Sequence, residues 1–319
     1  MLLAFAQFAL VLSGCAGKED VANAGGSAGT SGNAGEGAIS GAGPVSSDTA
    51  QWPMPNSAGL GLPNPANYDV EATPGVVHDL VTDLYWLQNP GLELYTRADA
   101  IGRCAELSFA GADDWRVPEF IELISLFDVV PNEADPTDPI YIAPAFQAEG
   151  RFWSRTPVSA NGLGRLLDFT AAGCGTSQLC SIGVLAQADS PLGGAFCVRN
   201  NEPPSNSARY ESNGGKVTDL RTGLTWQGVS ADAQTVGYAD AVSACEALGN
   251  GARLPSINEL LSILVPLLDK NAFPNWPAEA LGWSNSLIPA KPGTYWAAAI
   301  GGATKAELAT NHNRVECVR

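Results

Sequence analysis

The most reactive side chains in this sequence belong to its seven cysteines. One of them, Cys15, follows an apolar run near the N-terminus, and the other six would allow 15 pairings if all were equivalent. They are not equivalent, because four of them recur at matching places in two similar halves of the chain and the remaining two lie close together. This placement predicts three disulfides: Cys104–Cys197, Cys245–Cys317 and Cys174–Cys180. No cysteine then remains as a nucleophile.

The segment before Cys15 predicts where the chain is sent. Residues 2–12 are apolar except for Gln7, and Leu12-Ser13-Gly14-Cys15 ends the run. The run is too short to cross a bilayer and is typical of a signal-peptide core. The small residues before Cys15 resemble the bacterial lipobox, which predicts lipid attachment to Cys15. The alternative is an ordinary secretory signal with a chance cysteine, and no Lys or Arg precedes the run.

The residue after Cys15 refines this expectation. By resemblance to Gram-negative lipoproteins, Ala16 carries no signal for retention in the inner membrane. We therefore expect an exported chain that is anchored to a membrane through its N-terminal lipid, at the outer membrane or the cell surface. Such a compartment is oxidising, and disulfides persist there.

Aromatic and amide side chains near the C-terminus form a candidate ligand site, because rings can stack on a ligand while amides bond to it. The candidate residues are Tyr295, Trp296, Asn311, His312 and Asn313. The Trp-Ser pairs Trp153-Ser154 and Trp283-Ser284 could also stack on a sugar ring. A tryptophan at a repeated position is more often part of the core, and we predict that both are buried.

Two arginines present the same choice between ligand binding and a place in the core. Arg116 and Arg253 could each meet the anionic group of a ligand. Each is followed six residues later by a glutamate, Glu122 or Glu259. A buried, bidentate pair of arginine with this carboxylate is the interpretation that we favour.

Acidic residues and histidines are the candidates for metal or acid–base chemistry. Calcium takes six to eight oxygen ligands, and an acidic insert could supply some of them from Asp128, Glu133, Asp135 and Asp138. Their spacing matches no known calcium loop, which favours a solvated loop. The chain has two histidines, His78 and His312, and neither lies in a motif for zinc or a catalytic triad. We expect no metal, no cofactor and no catalytic residue.

The charge of the chain restricts its partners. The formal net charge is −16. Phosphates, sulfates and anionic lipid surfaces are bound by Lys and Arg and are repelled by such a chain. We expect no nucleic-acid partner, and a surface glycan or protein as the ligand.

The elements that would position these residues occur twice. Residues 77–86 and 217–226 share the pattern Val-x-Asp-Leu-x-Thr-x-Leu-x-Trp. Each predicts two short strands joined by a turn. An Arg-x-Pro element, a Trp-Ser pair and a final Cys-Val-Arg follow in both copies. The chain is therefore predicted to contain two copies of one domain.

Two helices are predicted in each copy. Thr96 begins the first, with Ala98, Ile101 and Ala105 on one face. In the second copy the corresponding face contains Ala239, Val242, Cys245 and Leu248. The second helix of each copy follows the Arg-x-Pro element. Ser256 and Glu259 form a capping box there, and Glu119 is a weaker cap in the first copy.

These patterns give a division of the chain. Glycine, alanine and serine dominate the segment after Cys15, and several prolines follow, which predicts a flexible tether that stiffens toward its end. The predicted ranges are 1–14 for the signal peptide, 15–75 for the tether, 76–199 for the first domain, 200–214 for a linker and 215–319 for the second domain.

The ordered set of motifs resembles the Lcl C-terminal domain family. The residues that carry the resemblance are Thr222-Gly223-Leu224-Thr225-Trp226, Arg253-Leu254-Pro255-Ser256-Ile257-Asn258-Glu259-Leu260, Trp283-Ser284 and Cys317-Val318-Arg319, with Trp115-Arg116-Val117-Pro118 and Cys197-Val198-Arg199 in the first copy. The second copy lacks the tryptophan before Arg253, and the first has Asp83 where the family has glycine. The family is similar to the C-type-lectin-like fold, in which a cysteine of the first helix bonds the last strand.

The resemblance implies an α+β fold: two tandem C-type-lectin-like domains, each with two helices and short, mainly antiparallel strands, after a disordered N-terminal tether. The adhesin member of the family implies attachment to surface glycans, and the acidic balance argues against a sulfated one. The expected function is non-enzymatic binding or adhesion at the cell surface. The alternatives are a structural or assembly component of the envelope, and an enzyme on the related formylglycine-generating fold.

Overall fold

A computed structural model describes eleven stretches of the chain. They are residues 53–132, 140–156, 163–170, 180–181, 183–200, 209–228, 235–264, 273, 280–288, 291–300 and 303–319. All of them belong to one compact unit. Within these stretches no helix is long and apolar enough to cross a membrane.

The first repeat contains ten strands and two helices in the stretches described. The strands are β1 (Tyr68–Asp69), β2 (Val76–Asp79), β3 (Leu84–Leu87), β4 (Phe127–Asn132), β5 (Ile140–Ile142), β6 (Arg151–Ser154), β7 (Leu163–Asp168), β8 (Cys180–Ser181), β9 (Gly183–Gln187) and β10 (Val198–Arg199). The helices are α1 (Arg97–Ala105) and α2 (Phe120–Ser125).

The second repeat has the same order of principal elements. Its strands are β11 (Tyr210–Asn213), β12 (Lys216–Asp219), β13 (Thr225–Gly228), β14 (Thr235–Val236), β15 (Gly282–Leu287), β16 (Thr294–Ala298), β17 (Ala303–Leu308), β18 (Asn313–Arg314) and β19 (Glu316–Val318). Its helices are α3 (Tyr238–Glu246) and α4 (Ile257–Leu264). The prediction of a mixed α and β structure in two tandem domains is confirmed.

Each repeat begins with the predicted hairpin and closes it with its last strand. The first sheet has the order β1-β2-β3-β10, and the corresponding sheet of the second repeat is β11-β12-β13-β19. The turn needs one residue with positive φ, which is Asp83 at 58° in the first repeat and Gly223 at 71° in the second. Aspartate tolerates this left-handed conformation better than most residues do, so the departure from glycine leaves the turn intact.

The remaining strands form the second layer of each repeat. In the first repeat β6, β7 and β9 form a three-stranded sheet, and β4 pairs with β5. In the second repeat the sheet has the order β14-β18-β15-β16-β17-β8. Its last strand, β8, comes from the first repeat and pairs Cys180 with Thr304 and Ser181 with Ala303. A backbone ladder therefore joins the two repeats.

The first helix of the first repeat buries a different face from the one predicted, whereas in the second repeat most of the predicted face packs against the core. The cap at Thr96 is confirmed, because its hydroxyl oxygen accepts the backbone N–H of Asp99 at 3.1 Å. The buried residues of α1 are Ala100 and Cys104, whereas Ala98, Ile101 and Ala105 are exposed. The disulfide decides this, because it draws the Cys104 side of the helix onto the last strand. In α3 the buried residues are Ala241 and Cys245, and the predicted Ala239 is exposed.

The second helices lie at the centre of the molecule. Every residue of α2 and of α4 is buried. Helix α4 packs against β15 and β16 of its own repeat and against α2 of the other. A helix that is covered on all sides needs apolar or satisfied residues around its whole circumference. Both repeats therefore contribute to one apolar cluster, which contains Phe120, Leu123, Leu260 and Ile263.

The predicted tether ends earlier than residue 75. Met54 is completely buried, and Ser57 accepts the backbone N–H of Val129 at 2.8 Å through its hydroxyl. Strand β1 pairs with β2 at Tyr68 and Asp69. Proline-rich composition indicates an extended backbone and does not show whether that backbone packs. Residues 53–75 belong to the folded unit.

Two of the predicted disulfides are confirmed. Cys104 bonds Cys197, and Cys245 bonds Cys317, each with 5.4 Å between the Cα atoms. They close loops with sequence separations of 93 and 72 residues, which is worth on the order of 4 kcal/mol each in the chain-entropy model.

Several predictions fall outside the described stretches. They concern the signal peptide and Cys15, the tether as far as residue 52, the pairing of Cys174 with Cys180, the insert residues Glu133, Asp135 and Asp138, and most of the predicted linker.

Candidate ligand-binding site

The five predicted ligand residues divide between the core and the surface. Trp296 is completely buried and packs edge-on against Tyr141 and Phe127 of the first repeat, with centroid distances of 5.7 and 6.3 Å. Asn313 is also buried, at 6% exposure, and its backbone pairs with Val236. The prediction that these two bind a ligand is wrong, because successive strand side chains point to opposite faces of a sheet.

Tyr295 lies on the other face of β16 and remains partly exposed. Its ring stacks on that of Tyr238, at the start of α3, with the centroids 3.5 Å apart and an angle of 13° between the planes. The Tyr238 hydroxyl donates to Asn285 Oδ1 at 2.6 Å. Trp283 packs edge-on against Tyr238, with the ring centroids 5.7 Å apart. The stacked pair is thus held by the helix, by β15 and by β16.

A carboxylate lies directly across the ladder from Tyr295. Glu307 on β17 is its partner in the antiparallel register, and opposed side chains have their Cβ atoms about 5 Å apart. Glu307 is 3% exposed and accepts from Lys305 Nζ at 2.6 Å and from the amide of Asn311. A ring, a carboxylate, an ammonium group and an amide are therefore brought together.

The hydroxyl of Tyr238 stays protonated at all ordinary pH values. Burial is the largest cause that raises the pKa of Tyr238, and the neighbouring Tyr295 raises it further. The phenol is therefore a permanent donor to Asn285. His312, the remaining predicted residue, is exposed in the turn before β18.

The first repeat builds the same positions from different residues. The registers of β6 with β7 and of β15 with β16 match Trp153 to Trp283, so that Gly164 corresponds to Tyr295. A Cβ on Gly164 would lie 2.8 Å from Cδ of Arg97, the residue that corresponds to Tyr238. Opposite Gly164 stands Ala186, which corresponds to Glu307. The fold itself therefore requires neither the stacked rings nor the carboxylate.

The Arg97 side chain shows what replaces the rings in the first repeat. Its guanidinium donates to the backbone carbonyl oxygens of Ser154 and Arg155 at 3.0 and 2.6 Å. Arg155 occupies the place of Asn285, directly after the Trp-Ser pair. The Arg97 donors are thus used in hydrogen bonds to the protein's own backbone. The second repeat alone has the cluster of Tyr238, Tyr295, Asn285, Lys305, Glu307 and Asn311 in the corresponding place. We call it the tyrosine cluster.

Comparison with known families shows which family the chain belongs to. The model of the Lcl C-terminal domain matches twice, over residues 75–178 and 215–319. The chain belongs to the Lcl C-terminal domain family. The second match begins at the predicted start of the second domain, whereas the first stops before Cys197 and the strand β10 that follows it. A comparison with curated proteins finds no match.

In both Lcl C-terminal domains the Arg-x-Pro element joins the second helix to the last strand. Arg116 donates to both carboxylate oxygens of Glu122 at 2.7 Å, and Arg253 donates to those of Glu259 at 2.8 and 2.7 Å. The backbones of these arginines exchange hydrogen bonds with Val198 and Val318. The predicted buried pairs are confirmed, and both glutamates are fully buried.

The Trp-Ser pairs of the Lcl C-terminal domains are also confirmed as core residues. Trp153 and Trp283 are both 0% exposed. Their indole N–H groups donate to the backbone carbonyl oxygens of Tyr95 and Val236 at 2.7 and 2.8 Å. The tryptophans therefore fix the segment that leads into the first helix and do not face a ligand.

The histidines and acidic residues form no larger group where the structure can be described. His78 Nε2 lies 2.8 Å from Asp83 Oδ1, and the imidazole stacks on Tyr85. Within the described ranges no three His, Cys, Asp or Glu side chains are grouped as a metal site would need. Of the acidic insert, Asp128 lies at the start of β4.

Four members of the tyrosine cluster were missed by sequence reasoning: Tyr238, Asn285, Lys305 and Glu307. The signal that could have found Glu307 is the alternation of β16 and β17, since pairing Thr294 with Leu308 places Tyr295 opposite Glu307. That pairing depends on the length of the turn, which the sequence alone leaves open.

Proposed function

We propose that this protein is a non-enzymatic surface lipoprotein that binds an uncharged glycan through the tyrosine cluster of its second Lcl C-terminal domain. The observation that carries the proposal is that the cluster occurs in only one of two copies of the same scaffold. The shared scaffold therefore does not require its residues. Aromatic rings beside hydrogen-bonding groups suit a sugar, which has an apolar ring face and polar hydroxyls.

The charges around the cluster support an uncharged ligand. Glu307 is paired with Lys305 within the cluster, and the chain carries a net charge of −16. A strongly acidic chain lowers the local concentration of anions, including sulfated polymers. A neutral sugar meets no such barrier.

The proposal includes the wider setting of the cluster. It places the domains in the C-type-lectin-like group, in keeping with the disulfide from the first helix to the last strand in each repeat. It places lipid on Cys15 and a tether after it, so that the domains are held at the outer membrane or cell surface. Adhesion through the bound glycan is the role that this arrangement serves.

A glycan array with the oxidised full-length chain tests the proposal, with and without a calcium chelator. Replacing Tyr295 by serine removes the exposed ring, and we expect binding to weaken by about tenfold or more, as for other aromatic anchors. The matched control is Tyr85→Ser, which alters a partly exposed, stacked strand tyrosine of the first repeat.

Each outcome separates the candidate functions. Binding that is lost in Tyr295→Ser and kept in Tyr85→Ser supports a lectin. A loss on chelation would bring calcium and the acidic insert at residues 128–139 into the site. A blank array in both conditions would rule out glycan binding at the cluster and favour a protein partner in the envelope or a structural role.

A further inference from the structure

A recess lies in the first repeat, and none of the residues that line it belongs to the tyrosine cluster. Its volume is about 310 Å³, which is near the lower end of the range for small-molecule sites. The side chains that define it are Gln88, Asn89, Arg103, Leu107, Phe109 and Gln147. We call it the carboxamide recess, because three of the six carry carboxamide groups.

The backbone fixes the positions of these carboxamides. The N–H of Gln88 donates to the carbonyl oxygen of Gly75 at 2.9 Å, and the N–H of Gln147 donates to that of Gln88 at 2.8 Å. The Gln88 side-chain amide donates to the carbonyl oxygen of Ala145 at 3.3 Å. Three segments that are distant in sequence are therefore held side by side, and the polar side chains of two of them form one wall.

Phe109 forms the apolar wall, and hydrogen bonds fix its backbone. Its N–H and carbonyl oxygen both bond to Ala112, and the carbonyl oxygen also accepts the indole N–H of Trp115 at 3.3 Å. The ring is nonetheless 37% exposed. A Cβ on Gly75 would lie 2.9 Å from the tip of this ring. Glycine at that position therefore lets the ring lie at the edge of the recess.

Two parts of this recess differ in the described stretches of the second repeat. Its chain runs from Leu248 to Ala252, where the first repeat runs from Leu107 to Trp115 and includes the turn that carries Phe109. The strand register that pairs Trp86 with Val77, and Trp226 with Val217, matches Gln88 to Gly228. As with the tyrosine cluster, the shared scaffold does not require these side chains.

The lining indicates the class of ligand. Carboxamides donate and accept hydrogen bonds without carrying charge, so they suit a ligand with both kinds of group. Arg103 interacts with the Tyr95 hydroxyl, which also donates to Glu93. Leu107 and Phe109 need an apolar surface on the ligand. One ring that carries hydroxyls, a neutral amide and a methyl group meets all of these requirements.

We propose that the carboxamide recess binds an uncharged N-acetylated sugar. The acetamido group bonds to the side chains of Asn89 and Gln147, whose own amide contact is long at 3.5 Å and can be replaced. The acetamido methyl group and a ring face pack on Phe109 and Leu107. This site goes beyond the tyrosine cluster and would make the chain bivalent.

The test titrates the oxidised full-length chain with N-acetylglucosamine and with glucose, and ligand-detected NMR measures the binding of each sugar. Saturable binding of N-acetylglucosamine is expected, with glucose weaker by about tenfold or more because it lacks the acetamido group that bonds to the carboxamides. Gln147→Leu and Phe109→Ala should each weaken binding by about tenfold. An unchanged midpoint of urea unfolding shows that each variant is folded.

Tyr295→Ser is the variant that separates the two sites, and binding of N-acetylglucosamine should survive it. The proposal is overturned by the absence of saturable binding, by equal binding of glucose, or by binding that Gln147→Leu leaves intact. Loss of binding in Tyr295→Ser would assign the sugar to the tyrosine cluster instead. Failure of the tyrosine cluster to bind any glycan leaves this test unaffected.

Discussion

At the scale of single residues, a buried aspartate at corresponding positions of the two repeats has different partners. Asp219 is fully buried and accepts two hydrogen bonds from the Arg209 guanidinium, at 3.0 and 2.6 Å. Asp79 is equally buried, but the position of Arg209 is taken by Asn67 in the first repeat. Burial raises the pKa of Asp79, although bonds from the Thr82 hydroxyl and nearby backbone N–H groups partly oppose this.

The raised pKa of Asp79 gives the first repeat a pH-dependent stability. The contribution is full below the ordinary carboxyl pKa of about 4 and is lost as the pH rises through the raised value in the folded state. Asp79→Asn remains neutral and keeps an acceptor. We expect its free energy of unfolding to lie within about 1 kcal/mol of wild type at pH 4 and to improve relative to wild type toward pH 8. Urea denaturation at each pH measures this.

Asp219→Asn is the control in the second repeat. It leaves the partly buried Arg209 without its anion and should cost about 3 kcal/mol at neutral pH. Equal losses for both variants at pH 8 would contradict the prediction, because Asp79 would then be ionised and fully satisfied in the folded state.

At the scale of elements, the start of helix α4 is the feature that the local sequence determines most clearly. The Ser256 hydroxyl oxygen accepts the N–H of Glu259 at 3.1 Å, and the Glu259 carboxylate accepts the N–H of Ser256 at 2.7 Å. The same carboxylate pairs with Arg253, which bonds to the last strand. One glutamate therefore caps the helix and fixes it to the closing strand.

Ser256→Ala tests the contribution of the cap. Loss of the hydroxyl leaves the N–H of Glu259 unsatisfied in a buried site, and we expect a loss of about 1 kcal/mol in the free energy of unfolding. Ser243→Ala on α3 is the control, since Ser243 is exposed and its hydroxyl bonds only within the helix. Surface changes of this kind stay within about 0.5 kcal/mol. Equal effects of the two changes in urea denaturation would refute a capping role.

At the scale of the whole molecule, the two repeats belong to one compact unit. The side-chain amide of Asn258 on α4 donates to the carbonyl oxygens of Pro55 and Phe127 at 3.0 and 2.8 Å. Arg221 of the second repeat pairs with Glu119 of the first. Together with Trp296 and the β8–β17 ladder, these contacts make each repeat complete the core of the other.

The isolated second repeat, residues 215–319, should therefore fail to fold cooperatively. It would expose α4 and Trp296 to water, and burying one large apolar side chain is worth about 2 kcal/mol. A fragment of residues 53–319 is the matched control and should give a single sharp thermal transition. Circular dichroism of both oxidised fragments measures this. A sharp transition in residues 215–319 alone would show that the repeats are independent domains.

Much of this protein could be predicted from local patterns. The hairpins, the caps at Thr96 and Ser256, and the pairs of Arg116 and Arg253 with their glutamates depend on neighbours within about six residues. The internal repeat added the two long disulfides, because it supplies a second copy of each position. The family relationship followed from the same repeated motifs.

Tertiary packing decided the rest. Trp296 and Tyr295 are adjacent in sequence, and only the face of β16 determines that one is core and the other partly exposed. Residues 53–75 have the composition of a spacer, but contacts with both repeats bury Met54. The tyrosine cluster and the carboxamide recess assemble side chains from segments far apart in the chain. Their positions depend on strand register and on the joining of the repeats, which are set by long-range contacts and not by local sequence.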